Sequence, residues 1–236
     1  MALGTVSFYT IIRLMDAHQG LISGVNRVYQ QYERFFVPWS LLTAAASVVL
    51  MWDALPFLWR PLTTVTVIGL IYVVPGPVRG LRYVAGLKLF LIALAWAWLA
   101  TRSVASGLQL EVGASFWLSL LRNFCWVAAI TVPFDIRDME EDEEELGSLP
   151  QRFGPGVARG LALMALFLVE VFVATPFLMG QMDVWPFVGL FLGIELTGVV
   201  VYFSYPVRSF WYYALWLELT PVLVWLWYTT GLLLNG

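Results

Sequence analysis

Cysteine, histidine and charge are all scarce in this chain. A single cysteine, Cys125, among 236 residues excludes an intrachain disulfide and a metal site built from several thiolates. It lies in an apolar run, where a free thiol is a buried, inert side chain. The lone histidine, His18, sits beside Asp16 in a polar segment. With no second ligand or nucleophile nearby, it reads as a solvated loop residue. Charged residues make up 12% of the chain, about half the ~25% of a soluble domain, and that shortage places the chain in a bilayer. The long apolar runs lack two-residue alternation, which excludes a membrane barrel. The net charge is −3, and no nucleic-acid partner is expected.

What the chain has instead is apolar length. It is 60% hydrophobic, with 12 Trp and 10 Tyr and a mean hydropathy of +0.79, a composition suited to a membrane protein with rings at its interfaces. A crossing helix needs about 20 mostly apolar residues. Seven runs qualify, at 35–55, 59–77, 87–106, 113–134, 156–180, 184–205 and 209–234. The expected fold class is therefore an all-α polytopic membrane protein, a single transmembrane domain over residues 1–236. Residues 1–34 form a partial helix and a cytoplasmic segment. The apolar stretch 2–14 is too short to cross and reads as the tail of a helix whose beginning is missing, or as a helix lying partly inserted. Ten of the thirteen basic residues fall on one side of the seven-span arrangement, leaving only Arg60, Arg102 and Arg122 on the other. By the positive-inside rule that side is cytoplasmic, so the expected location is the inner (plasma) membrane.

Against this background, eight of the sixteen acidic residues crowd between Asp135 and Glu145. The segment 135–155 reads as a cytoplasmic Asp-rich loop. On a helix, Asp135, Asp138 and Asp142 fall within an arc of about 60°. Three carboxylates on one face repel each other unless a cation sits between them. Hard oxygen ligands suit Mg²⁺, which takes one or two carboxylates together with substrate phosphate oxygens. At a membrane surface, such a site suits a lipid diphosphate. The alternative is a solvated acidic helix end, and Glu141 to Glu145 include residues of that kind. On the same side, Arg79, Arg82 and Lys88 follow Tyr72 and Pro75. They could grip a diphosphate or form an ordinary positive-inside loop. Glu170, Glu195 and Glu218 lie within spans, where acids face the bundle interior or a cavity. Glu218 precedes Leu219-Thr220-Pro221, where the proline frees a backbone carbonyl.

The run Asp135-Ile136-Arg137-Asp138-Met139-Glu140-Glu141-Asp142, followed by Ser148-Leu149-Pro150 and Gly154, resembles the second aspartate-rich motif of the UbiA superfamily of intramembrane prenyltransferases. That motif reads D-x-R-D-x-E-x-D, then T-L-P, then G; here Ser148 replaces the threonine. Tyr72-Val73-Val74-Pro75 with Arg79 and Arg82 resembles the family's tyrosine-proline-basic loop. Leu87-Lys88-Leu89-Phe90 with Ala93-Leu94-Ala95-Trp96 resembles a shorter-motif branch. The resemblance covers residues 60 to 160; beyond them only hydropathy agrees.

The resemblance implies a UbiA-like bundle of membrane helices that moves a prenyl group from a prenyl diphosphate to an aromatic or quinone-type acceptor with Mg²⁺. Asp135, Asp138 and Asp142 would be the catalytic metal ligands, and Arg79, Arg82, Lys88 and Tyr72 the diphosphate-binding residues. The family's first motif, N-x-x-x-D-x-x-x-D, has no match between Met1 and Glu33. Asn26 is followed at the corresponding positions by Gln30 and Arg34, and Arg13 stands where a ligand would be wanted. Two expectations follow: a Mg²⁺-dependent prenyltransferase, or a non-catalytic relative that binds a quinone-like lipid and associates with a larger membrane complex.

Overall fold

The computed structural model describes residues 10, 14, 31–50, 52, 55–73, 86–139, 147–209 and 212–235. All regular structure among them is helical. The chain divides into two compact units, residues 1–59 and 60–236.

In the first unit, α1 spans Glu33–Leu50. Its hydroxyls turn back onto the helix: Thr43 Oγ1 donates to the Trp39 carbonyl at 3.0 Å and Ser47 Oγ to that of Thr43 at 2.7 Å. This disposes of the polar groups without a partner helix. Helix α2, Leu55–Val73, carries Pro61, and Thr64 Oγ1 donates to the Arg60 carbonyl at 3.0 Å.

The second unit contains α3 (Leu87–Gly107), α4 (Ala114–Asp138), α5 (Leu149–Leu178), α6 (Val184–Tyr202), a π-helical turn (Tyr212–Leu217) and α7 (Glu218–Asn235). Among the described residues five helices are long and apolar enough to cross a membrane, the last of them running Leu215–Asn235 through the end of the π turn. At 1.5 Å per residue they reach about 30 Å, the thickness of the hydrocarbon layer. Their outward faces stay apolar: Leu161, Met164, Phe167, Leu168 and Val171 of α5 are all exposed. A soluble bundle buries such a stripe, whereas a bilayer covers it.

Seven crossing helices were expected; among the described residues five meet that description, and the runs expected at 35–55 and 59–77 are helical over α1 and α2.

Close packing is concentrated between α6 and α7. A Cβ on Gly189 would collide with the Trp227 carbonyl, and one on Gly231 with the Trp185 carbonyl. A Cβ on Gly193 would lie 2.9 Å from Val224 Cα. Small residues four apart let two backbones approach where no hydrophobic effect pulls helices together. Helix α3 is tied to α4 inside the apolar layer by Asn123 Nδ2 donating to Thr101 Oγ1 at 2.9 Å. Cys125 is buried and unoxidised, as its apolar setting predicts.

Two prolines and a glycine shape the ends. Gly154, at φ +81°, interrupts α5 ahead of Pro155, a backbone geometry few other residues adopt. Pro221 has no N–H for the Leu217 carbonyl; Thr220 Oγ1 donates to it instead, at 2.7 Å. The carbonyl freed by that proline is thus satisfied inside the helix.

Candidate functional site

The acidic motif is not a loop at its start. Asp135 and Asp138 are the last helical residues of its pattern, in the final turn of α4, and α5 begins at Leu149. The segment expected as a loop at 135–155 is thus helical at 135–138 and from Leu149 onward. Its apolar approach (Ala129, Val132, Pro133, Ile136) packs in the core, so the helix continues past the predicted boundary at 134 for as long as burial rewards it.

Asp135 is 3% exposed. Its Oδ1 lies 3.2 Å from Lys88 Nζ, in the first turn of α3. The residue expected to bind a metal and the residue expected to bind a diphosphate are therefore partners of each other. A buried carboxylate needs such a counter-charge. Asp138 is paired in turn with Arg137, through Nε–Oδ1 at 2.5 Å and Nη2–Oδ2 at 2.8 Å. The Arg137 guanidinium also lies over the Phe134 and Tyr213 rings, 5.3 and 5.6 Å from their centroids, and the Glu218 carboxylate feels its charge. Glu218 thus belongs to the same end of the bundle as the acidic motif. Glu170 on α5 and Glu195 on α6 lie close to one another, away from the motif.

Tyr72 lies in the last turn of α2. Arg79, Arg82 and Asp142 lie outside the described residues, as do Arg13, His18 and Asn26.

Two residues of this end were not singled out from sequence. Gln151 joins the two sides of the acidic segment. Its Oε1 accepts from the Ser148 N–H at 2.8 Å, and its Nε2 donates to the Met139 carbonyl at 3.2 Å. The first bond is the returning half of a capping box, a pattern readable in Ser148-x-x-Gln151. Tyr213 is fully buried and donates to the Tyr205 carbonyl at 2.7 Å. Burial, with Tyr212 beside it, pushes its phenol up to about 12, although Arg137 pulls the other way. No sequence signal marks Tyr213, because its role depends on the π turn bringing it against α4.

The donor set tests the Mg²⁺ expectation. Asp135 and Asp138 offer hard oxygens one turn apart, enough for an ion that keeps waters and takes phosphate oxygens as well. Both already hold a basic partner, and among the described residues no three acidic, histidine or cysteine side chains come together as a metal site. Asp142, the third carboxylate of the expected set, lies outside the described residues, so Asp135 and Asp138 are the part of that set whose geometry is described.

No family model, curated protein or solved structure matches the chain.

Proposed function

We propose that this chain is a UbiA-like membrane prenyltransferase, transferring a prenyl group from a prenyl diphosphate to an aromatic or quinone-type acceptor. The observation that carries the reading is the meeting of Lys88 with the Asp135–Asp138 motif at one end of a membrane bundle. A lipid diphosphate needs cations for its head and apolar helices for its tail at the same level. Among the described residues, Lys88 and Arg137 are the cations paired with the motif. Phosphate oxygens can replace a carboxylate as partner of either, leaving Asp135 and Asp138 to take up divalent charge. Mg²⁺, when bound, would supply further neutralisation of the departing diphosphate. The allylic carbon–oxygen bond breaks with its electron pair leaving on the diphosphate, the acceptor attacks the allylic cation, and the acceptor's proton is lost to solvent. Arg79, Arg82 and Tyr72 complete the proposed diphosphate site, and Asp142 the carboxylate set.

The location belongs to the same proposal. Of the described basic residues of the second unit, Lys88, Arg137, Arg152, Arg159 and Arg208 fall on the motif's side of the helices, against Arg60, Arg102 and Arg122, which favours a cytoplasmic acidic segment in an inner membrane. Seven crossings, counting α1 and α2, fit that orientation.

The test is turnover of labelled prenyl diphosphates of several lengths by the purified chain, with Asp138→Ala expected to abolish it. No turnover with any chain length or acceptor defeats the proposal.

One observation favours a second reading, a non-catalytic relative that binds a quinone-like lipid as a subunit of a larger membrane complex. Asp135 and Asp138 are each already neutralised from within the chain, as suits a structural helix end. That reading expects stable co-purification with a membrane complex, unaffected by Asp138→Ala. Robust catalysis by the isolated chain excludes it.

A further inference from the structure

Lys88 and Arg137 are held by carboxylates, but two other cations at the same end are not. Among the described residues, neither Arg159 nor Arg208 has an acidic partner. Both are anchored on backbone: Arg159 Nη1 donates to the Tyr202 carbonyl at 3.3 Å, and Arg208 Nε to the Phe203 carbonyl at 3.2 Å. They converge on one ring, with their guanidinium carbons 4.1 and 5.8 Å from the Tyr205 centroid. The carbonyl contacts and ring stacking fix the planes of two unneutralised cations at the terminus of membrane helix α6.

Beside them is a cleft of about 340 Å³, lined by Val199, Val200, Phe203, Arg208, Tyr212 and Trp216. Its walls come from the last turn of α6 and from the π turn, whose wider winding moves Tyr212 and Trp216 aside from a straight continuation of α7. The Tyr212 hydroxyl is spent on the Val200 carbonyl, so the walls are apolar and Arg208 supplies the charge. Val199, Phe203 and Trp216 are exposed where the apolar helices Val184–Tyr202 and Leu215–Asn235 end and begin.

We propose that this cleft binds an anionic phospholipid. One acyl chain would lie along Val199, Val200 and Trp216, with the phosphodiester on the free guanidinium nitrogens of Arg208 and within the field of Arg159. Charge complementarity selects the occupant. An uncharged quinone or a zwitterionic lipid leaves the two cations unmatched, whereas a net negative headgroup at the interface gains roughly fivefold in binding for each Arg close to it. The site is separate from Lys88 and Asp135 and needs no prenyl transfer.

The purified full chain in nanodiscs of mixed phosphatidylglycerol and phosphatidylcholine, released and weighed by native mass spectrometry, tests the idea. Phosphatidylglycerol is expected to be retained over phosphatidylcholine. Arg208→Gln should cut that preference about fivefold and Arg159→Gln should reduce it further, while Arg102→Gln changes nothing. Inorganic phosphate should not compete, because it lacks the tail. Farnesyl diphosphate should not displace the lipid either; displacement would assign the cleft to the diphosphate substrate and overturn the proposal. Equal retention of the two phospholipids, or a preference that survives both arginine changes, also overturns it. Should Arg208→Gln fail to fold, quenching by lipids brominated on the acyl chain decides. The quenching lost on going to Trp216→Phe must be larger for phosphatidylglycerol than for phosphatidylcholine, and equal losses sink the proposal.

Discussion

Lys88 Nζ sits 3.2 Å from Asp135 Oδ1, closing the first turn of α3 onto the last turns of α4. The carboxylate is almost wholly buried and the ammonium only partly, so the cost of losing the lysine falls on Asp135. Lys88→Ala is expected to destabilise the second unit by about 3 kcal/mol, because it strands a buried charge. Adding Asp135→Asn should recover part of that loss by removing the charge itself. Denaturant unfolding in micelles measures both, and two strictly additive effects would show that the pair is not coupled.

The same pairing predicts how metal enters. Asp135 and Asp138 each hold a cation that a diphosphate could draw away, so divalent binding should depend on diphosphate. Mn²⁺ used as a spin-active substitute for Mg²⁺ is expected to remain free with the chain alone and to bind when a prenyl diphosphate is added. Tight binding without diphosphate would show a resident metal site, contrary to the geometry of the described carboxylates.

The sequence carried the parts of this molecule that composition and periodicity encode. The apolar runs at 87–106, 113–134, 156–180, 184–205 and 209–234 each contain a long helix. Boundaries slipped where tertiary burial outvoted local polarity: Asp135 is acidic and follows a proline, yet packing of Val132, Pro133 and Ile136 keeps it helical. The spacing of Asp135 and Asp138 placed both in one helical turn but could not reveal that Lys88, 47 positions upstream of Asp135, would neutralise one of them. That fact depends on how α3 meets α4. Gly189-x-x-x-Gly193 was not singled out from the sequence, and the significance of that spacing becomes apparent only when α7 lies against α6 and brings Val224, Trp227 and Gly231 to it.

That helix contact gives a sharp contrast among glycines. Gly231→Leu or Gly193→Val would force α6 and α7 apart, since the atoms met are backbone rather than flexible side-chain ends. A loss of about 1–3 kcal/mol is expected from overpacking. Gly160→Ala, with open space around its Cβ, should be neutral or stabilise by up to about 1 kcal/mol through helix propensity. Thermal unfolding in matched detergent ranks the three, and a Gly231→Leu protein as stable as the parent would refute the close contact.

Gln151 is expected to matter through both ends of its amide. Gln151→Ala removes the acceptor for Ser148 N–H and the donor to the Met139 carbonyl, a loss of about 1 kcal/mol by analogy with other helix caps. Gln151→Glu keeps the acceptor and loses the donor, so its cost should be intermediate. Equal stability of the alanine variant and the parent would show that the amide does not join α4 to α5.

Tyr213 sets the alkaline limit of the same end. Burial raises its phenol from about 10 to about 12, with Tyr212 and Asp138 adding to the rise and Arg137 opposing it. A folded-state value above the unfolded one means that the unfolded chain releases this proton first as pH rises. The contribution to stability is therefore complete below about pH 10 and is lost as pH climbs through about 12. Burial also raises the Tyr212 phenol, so the native protein should show fewer phenolate absorbance steps near pH 10 than its tyrosine count requires, and Tyr213→Phe should remove one late step while leaving the region near pH 10 unchanged. Ionisation of Tyr213 near pH 10 in the folded chain would mean that water reaches the ring, and with it the Arg137–Asp138 pair that the ring covers.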